Sequence, residues 1–156
     1  MKMENVNPHK ERVHTVLAHS YVVYFIFLLI SVWLDSIFDF KIFSDTFMTP
    51  VGILMLIFAS VLIISAQKTG HDFRKIKEKK TEHFCRGPYC YTRIPTQWGL
   101  FFLMLGFGIV MNAFFVIIFS IVSFLIARFV FIEKQEKILT EKYGAPYTEY
   151  KKLVRF

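Results

Sequence analysis

Residues Pro95 to Tyr143 read PTQWGLFFLMLGFGIVMNAFFVIIFSIVSFLIARFVFIEKQEKILTEKY: two apolar runs that meet at Met111-Asn112, and a charged tail that continues the second. The first run, from Pro95 to near Met111, makes roughly 25 Å of helix at about 1.5 Å per residue, short of a hydrocarbon core about 30 Å thick. Its amino end therefore belongs within the boundary of the inner leaflet. Pro95 suits the first helical turn, where its missing N–H leaves no bond unmade, and Asn112 is placed to cap the next helix after a tight reversal. The second run starts at Ala113 and has no stop signal at the membrane edge. Its helical pattern passes Glu133, Glu136 and Leu139 to Tyr143, with Gly144 as the expected terminator. A helical hairpin follows, its second arm extending into the cytoplasm. Pro146 then opens a short amphipathic helix that carries Tyr147, Tyr150 and Val154.

Two more apolar segments lie upstream. Val13–Leu34 follows a basic amino end (Lys2, Lys10, Arg12), and Phe47–Ala66 comes next. No small-x-small cleavage site follows Leu34, so the first segment reads as an anchor rather than a removed signal. With 54% apolar residues and 19 Phe, the composition exceeds what a soluble domain of 156 residues carries. The fold class expected is an all-α integral membrane protein with four transmembrane helices in a single membrane domain. Residues 1–66 hold the first two, 67–94 a basic cytoplasmic loop, and 95–156 the hairpin and C-terminal segment with the site.

Charge sets the orientation. Asp35–Thr46 has one Lys against three Asp, whereas Gln67–Ile94 holds eight Lys or Arg, which places the first outside and the second, with both termini, in the cytoplasm. The formal net charge of +7 is distributed as in inner loops, so no nucleic-acid partner is expected. The run from Arg74 to Lys80 reads as a loop drawn to anionic membrane lipid. A short chain without a cleavable targeting peptide fits a prokaryotic inner membrane. Cys85 and Cys90, in the basic segment, are expected to be free thiols. With His83 they give only three possible zinc ligands, so no metal is expected. Gly99, Gly106 and Gly108 lie inside an apolar helix and suit close packing between the hairpin's arms.

This topology gathers the polar chemistry at the inner surface. Arg93 stands at the start of the third helix; Glu133, Gln135 and Glu136 lie on the emerging part of the fourth. The amino end of the third helix offers unpaired N–H groups suited to a carboxylate or phosphate. Glu136, Leu139 and Tyr143 share one helical face, so Glu136 can point inward while Gln135 sits about 100° around the axis. By spacing alone, a snorkelling Arg93 and a solvated Glu/Lys face account for these residues.

Gly87-Pro88-Tyr89-Cys90-Tyr91-Thr92-Arg93-Ile94-Pro95, then Gly99, then Gln135-Glu136-Lys137-Ile138-Leu139, then Tyr143-Gly144 with Tyr147 and Tyr150, resembles the isoprenylcysteine carboxyl methyltransferase and phospholipid methyltransferase-like family. Its pattern reads G-P-Y-x-Y-x-R-[HN]-P-x-Y-x-G, then E-E-x-x-L-x-x-x-[FY]-G-x-x-Y-x-x-Y. The resemblance covers the chain from Thr81 to its end. It implies a membrane methyltransferase that binds S-adenosylmethionine and methylates a lipophilic small molecule or lipid. Arg93, Pro95, Gly99 and Glu136 match the motif, and Tyr89 and Tyr91 its aromatic positions. By this resemblance Arg93 holds the methionine carboxylate, Glu136 takes a ribose hydroxyl or the cofactor's ammonium, and the loop around His83 and Phe84 covers the adenine. Glu133, Glu136 and Arg93 are the expected catalytic residues. Ile94, Gln97 and Gln135 complete the expected cofactor surface at positions where the family has His or Asn, Tyr, and Glu. Ile94 supports a second reading, a family-derived binding or scaffold protein without catalysis.

Overall fold

The computed structural model describes residues 8–43, 46–75 and 80–154. Among these residues the protein is all-helical: α1 (Pro8–Phe38), α2 (Thr49–Lys75), a single turn α3 (Thr81–Phe84), α4 (Pro95–Val110), α5 (Phe114–Tyr143) and α6 (Ala145–Leu153). Among the described residues three stretches are long and apolar enough to cross a membrane: Ala18–Phe38, Thr49–Asp72 and Phe114–Tyr143. Helix α4, at 16 residues, is a shorter apolar helix beside them. Large apolar side chains such as Phe25, Leu29, Trp33, Leu54, Phe58, Val61 and Ile64 face outward, as they must where the surrounding medium is hydrocarbon rather than water. The basic amino end around Lys2 and residues 76–79 of the basic run lie outside the described residues.

Helix α2 continues past Ala66 to Lys75, so the segment expected as a loop from Gln67 is helical for two more turns. No Gly-Pro punctuation interrupts it, and the charged residues lie where the helix has left the apolar layer. The widest interface in the fold joins α2 to α4; α5 then packs on α4, and α1 on α5. The glycines follow this order rather than the expected one. A Cβ on Gly99 would run into Ile63 of α2, and one on Gly106 would meet the Gly52 carbonyl at 3.0 Å. Only Gly108 faces α5, against Ile117 and Val116. Residues 99 and 106 are seven apart and share a helix face, whereas 108 lies about 200° from 106.

The α4–α5 turn also differs from expectation. The residue preceding α5 is Ala113, and it makes no side-chain cap. Asp35 from α1 supplies the cap instead: its Oδ1 and Oδ2 accept from the Phe115 and Val116 N–H groups, both at 3.1 Å. A carboxylate at a helix amino end satisfies otherwise unpaired donors and complements the dipole. Asn112, at φ 52°, ties down the segment that follows α1: its Oδ1 accepts from Ile42 and Phe43 N–H at 3.0 and 2.9 Å, and its Nδ2 donates to the Phe43 carbonyl at 2.8 Å. Asn112→Ala removes three hydrogen bonds and puts a side chain with no local compensation in the left-handed region. It is expected to cost about 2 kcal/mol, read as a lower thermal midpoint in detergent.

Helix α5 contains a π-helical segment, Ala127–Ile132. Glu136 lies nine residues beyond buried Ala127, half a turn away from it in an uninterrupted α-helix. The wider π turns rotate less per residue and bring the Glu136 face back toward the body of the protein. Gly144, at φ 62°, lets the chain reverse into α6 at a backbone angle that side chains disfavour.

Candidate functional site

The segment between α3 and α4 is held by two devices. One is a Cys85–Cys90 disulfide, which corrects the expectation of free thiols: the short turn Gly87–Cys90 brings the two Cα atoms to 4.4 Å, within bridging range. The other is α6. Tyr147, Tyr150 and Val154 are buried with Phe84, against Leu139 and Tyr143 of α5. Phe84 stacks on Tyr150 and meets Tyr143 and Tyr147 edge-on, with centroids 5.5–5.6 Å apart. The Tyr150 hydroxyl donates to the Tyr89 carbonyl at 2.6 Å. Helix α6 thereby clamps the loop onto the end of α5.

That clamp assembles a charged cluster. Arg93, just ahead of α4, pairs with Glu136 Oε1 at 2.5 Å, and Lys151 of α6 pairs with Oε2 at 2.5 Å. The Arg93 and Glu136 side chains are only 16% and 18% exposed, against 41% for Lys151, so the first pair is little screened by water. One carboxylate between two cations leaves a net positive site. Beside it is an open hollow of about 350 Å³ lined by Glu133, Glu136, Lys137, Thr140, Glu141 and Lys151.

The two buried tyrosines register this environment. Tyr147 is pushed up to about 12, by burial first and then by the Glu136 charge, with Arg93 opposing. Tyr150 is raised too, by burial first and then by Tyr147 and Tyr89. Both phenols start from an ordinary value near 10. A raised folded-state value means that the stabilisation is fully present below about pH 10 and is lost as pH climbs through about 12. Tyrosinate absorbance is expected to show at least two of the seven tyrosines resisting ionisation, Tyr147 and Tyr150 among them until α6 undocks; ionisation of all seven in a single step near pH 10 would contradict it.

The expected site residues are divided by the structure. Arg93 and Glu136 are brought together, Glu133 stands exposed on the hollow, and Gln135 is half-buried one position from Glu136. Ile94 precedes α4, its carbonyl accepting from the Gln97 and Trp98 N–H groups, and Pro95 is buried in the first turn. His83 Nδ1 accepts from the Lys80 N–H at 3.1 Å, holding α3. Phe84 is sunk in the α6 cluster rather than open to a ligand, and Tyr91 stands 88% exposed. Gln97 turns away from the charged cluster, donating through Nε2 to Ser20 of α1 at 2.6 Å. Gly99 belongs to the α2 contact. Lys151 escaped the sequence reading. The available signal was its place four residues after Tyr147, on the face that α6 buries.

Residues 47–146, about two thirds of the chain, match the phospholipid methyltransferase family model. The chain belongs to that family. The phospholipid methyltransferase family includes isoprenylcysteine carboxyl methyltransferase-like members, so the resemblance carried by the Arg93 and Glu136 motifs holds at family level. The matched segment runs from the start of α2 to the first residues of α6, and it contains Arg93 and Glu136 but not Ser20 or Lys151. Neither the curated proteins nor the solved structures give a match. Membership and the long apolar helices together make this a membrane methyltransferase domain at the level of the family.

Proposed function

We propose that the protein is an integral membrane methyltransferase that uses S-adenosylmethionine to methylate a lipophilic acceptor arriving from the bilayer. On this reading α4 is a fourth, shorter span that forms a hairpin with α5, both termini are cytoplasmic, and the membrane is a prokaryotic inner membrane. The observation that carries the proposal is the pairing of Arg93 with Glu136, residues 43 apart in sequence and both matching family motif positions.

The residues present fit the cofactor. An amino-acid zwitterion needs a cation for its carboxylate and an anion for its ammonium, and the cluster offers Arg93 and Lys151 around Glu136. Glu133 and Thr140, on the adjoining hollow, add hydrogen-bonding groups for a polyhydroxy portion. When bound, S-adenosylmethionine supplies a sulfonium methyl that is already activated. The protein's contribution is therefore mainly orientation and exclusion of water. Arg93 and Lys151 hold the anionic end, and Glu136 is oriented by both. Glu133 is the exposed carboxylate nearest to hand for accepting a proton from an acceptor that carries one.

The test is calorimetric titration of S-adenosylmethionine or its demethylated product into the purified protein in detergent. Saturable binding below millimolar concentration is expected. Absence of binding at millimolar cofactor would overturn the proposal in favour of a family-derived scaffold.

A further inference from the structure

Inward of the charged cluster, one helical turn into α4, the structure buries polar atoms that the site above does not use. Gln97 is 2% exposed; its Nε2 donates one N–H to Ser20, and its Oε1 has no hydrogen-bond partner among the described residues. Tyr24, 5% exposed, also has a hydroxyl without a partner among them. Ser20 and Tyr24 are four residues apart on α1 and share a face. Long side chains on a helix lean back toward its amino end, so the Tyr24 hydroxyl is directed toward the level of Ser20 and Gln97.

Polar atoms left unpaired within an apolar layer each cost on the order of several kcal/mol, so these two, related through Ser20, call for an occupant. The surroundings give the occupant its route. Helices α1 and α4 both pack along α5 but scarcely meet each other, and the Gln97–Ser20 bond spans that seam. The walls alongside are apolar: Met104 of α4 is buried in one cluster with Tyr24, and Leu100 and Phe107 of α4 and Phe27 and Leu28 of α1 pack against that cluster. A chain lying in the seam would have hydrocarbon contacts for its length and oxygen atoms at its inner end.

We propose that Ser20, Tyr24 and Gln97 form a subsite for the head group of a single-chain or lipid-like ligand that carries an N–H or O–H donor, an amine or an alcohol rather than a carboxylate. Gln97 Oε1 can only accept, and the Tyr24 hydroxyl can accept or donate, so a donor-bearing group satisfies both. A carboxylate can accept from Tyr24 and from the second Nε2 hydrogen, but it leaves the Gln97 oxygen unpaired and meets its partial negative charge. Resting on the reading of the protein as a membrane methyltransferase, this places the acceptor's head group one turn inward of Arg93 and Glu136, on the bilayer side of the cofactor. It also gives Gln97 a role that its position in the family motif does not suggest: its side chain selects the acceptor, and Ser20 orients it.

Trp98 lies next to Gln97 and the chain has only one other tryptophan, Trp33, so Trp33→Phe leaves a single reporter. That variant is titrated in phosphatidylcholine nanodiscs with dodecylamine, dodecanol and laurate, following Trp98 emission. A saturable change with dodecylamine or dodecanol, about tenfold stronger than with laurate and weakened about tenfold by the near-isosteric Tyr24→Phe, is expected. Which of the two responds distinguishes an N–H from an O–H ligand. Gln97→Met, which keeps the volume, is expected to weaken the same probe. Laurate binding as tightly as the others, no saturable change with any probe, or curves untouched by Tyr24→Phe in a sample of unchanged thermal midpoint would overturn the subsite. S-adenosylmethionine titrated into the same samples keeps the two readings apart. Probe binding without cofactor binding sinks the methyltransferase reading and leaves the subsite standing; cofactor binding without probe binding does the reverse.

Discussion

Glu136→Gln is expected to weaken S-adenosylmethionine binding roughly ten- to hundredfold, because hydrogen bonds to a charged group contribute about 1.5–3 kcal/mol each. Glutamine keeps the shape and one acceptor oxygen but loses the charge that Arg93 and Lys151 share between them. The substitution leaves Arg93, at 16% exposure, beside a neutral amide. Lys151, at 41%, can turn to water and recover much of its solvation. The loss should therefore be far steeper for Arg93→Ala than for Lys151→Ala. A double-mutant cycle on Arg93 and Glu136 is expected to give a coupling of about 1 kcal/mol or more in cofactor binding. Cofactor affinity in Glu136→Gln equal to the parent's would show that this carboxylate does not face the ligand.

Gly52→Val should be the most damaging single change to the fold. A Cβ at residue 52 would sit 2.7 Å from Val110 Cγ2 and 3.0 Å from both the Gly106 carbonyl oxygen and the Val110 nitrogen. Two of those three are backbone atoms of α4 and cannot swing aside, so the helices must separate along the widest interface in the fold. Overpacking of this kind costs about 1–3 kcal/mol before the lost contacts are counted. The shift would also move the start of α4, which positions Arg93. Gly70→Ala is the internal comparison: it lies on the same helix, and its Cβ would meet only the Tyr89 hydroxyl, at 3.8 Å. Helix propensity there favours alanine by about 0.5–1 kcal/mol. Thermal unfolding followed by helical circular dichroism should rank the parent well above Gly52→Val and level with or slightly below Gly70→Ala. Equal midpoints for Gly52→Val and the parent would refute the close α2–α4 approach.

Long apolar runs, Pro95 in a first turn, Gly144 at a reversal, and the inward face Glu136-Leu139-Tyr143 follow from periodicity and chain stiffness. These are local properties, and Ala18–Phe38, Thr49–Asp72 and Phe114–Tyr143 express them directly. The gathering of Arg93 and Glu136 near one surface was also legible, because hydropathy fixes where a span must end and so which polar residues emerge together.

The partners of individual polar groups were not legible. Asp35 caps a helix that begins 79 residues later, Gln97 reaches back 77 residues to Ser20, and Lys151 joins Glu136 only because Tyr147 and Tyr150 dock α6 on Phe84. Each depends on which helices become neighbours, and the order α2, α4, α5, α1 cannot be read from the period of any one of them. The faces of Gly99 and Gly106 and the rotation introduced at Ala127–Ile132 were decided the same way, by packing that local sequence preference does not encode. The sequence determined which segments are helices in an apolar medium and which charges collect at one end; the tertiary structure decided which atoms those charges meet, because a side chain's partner depends on contacts that exist only after the helices have packed.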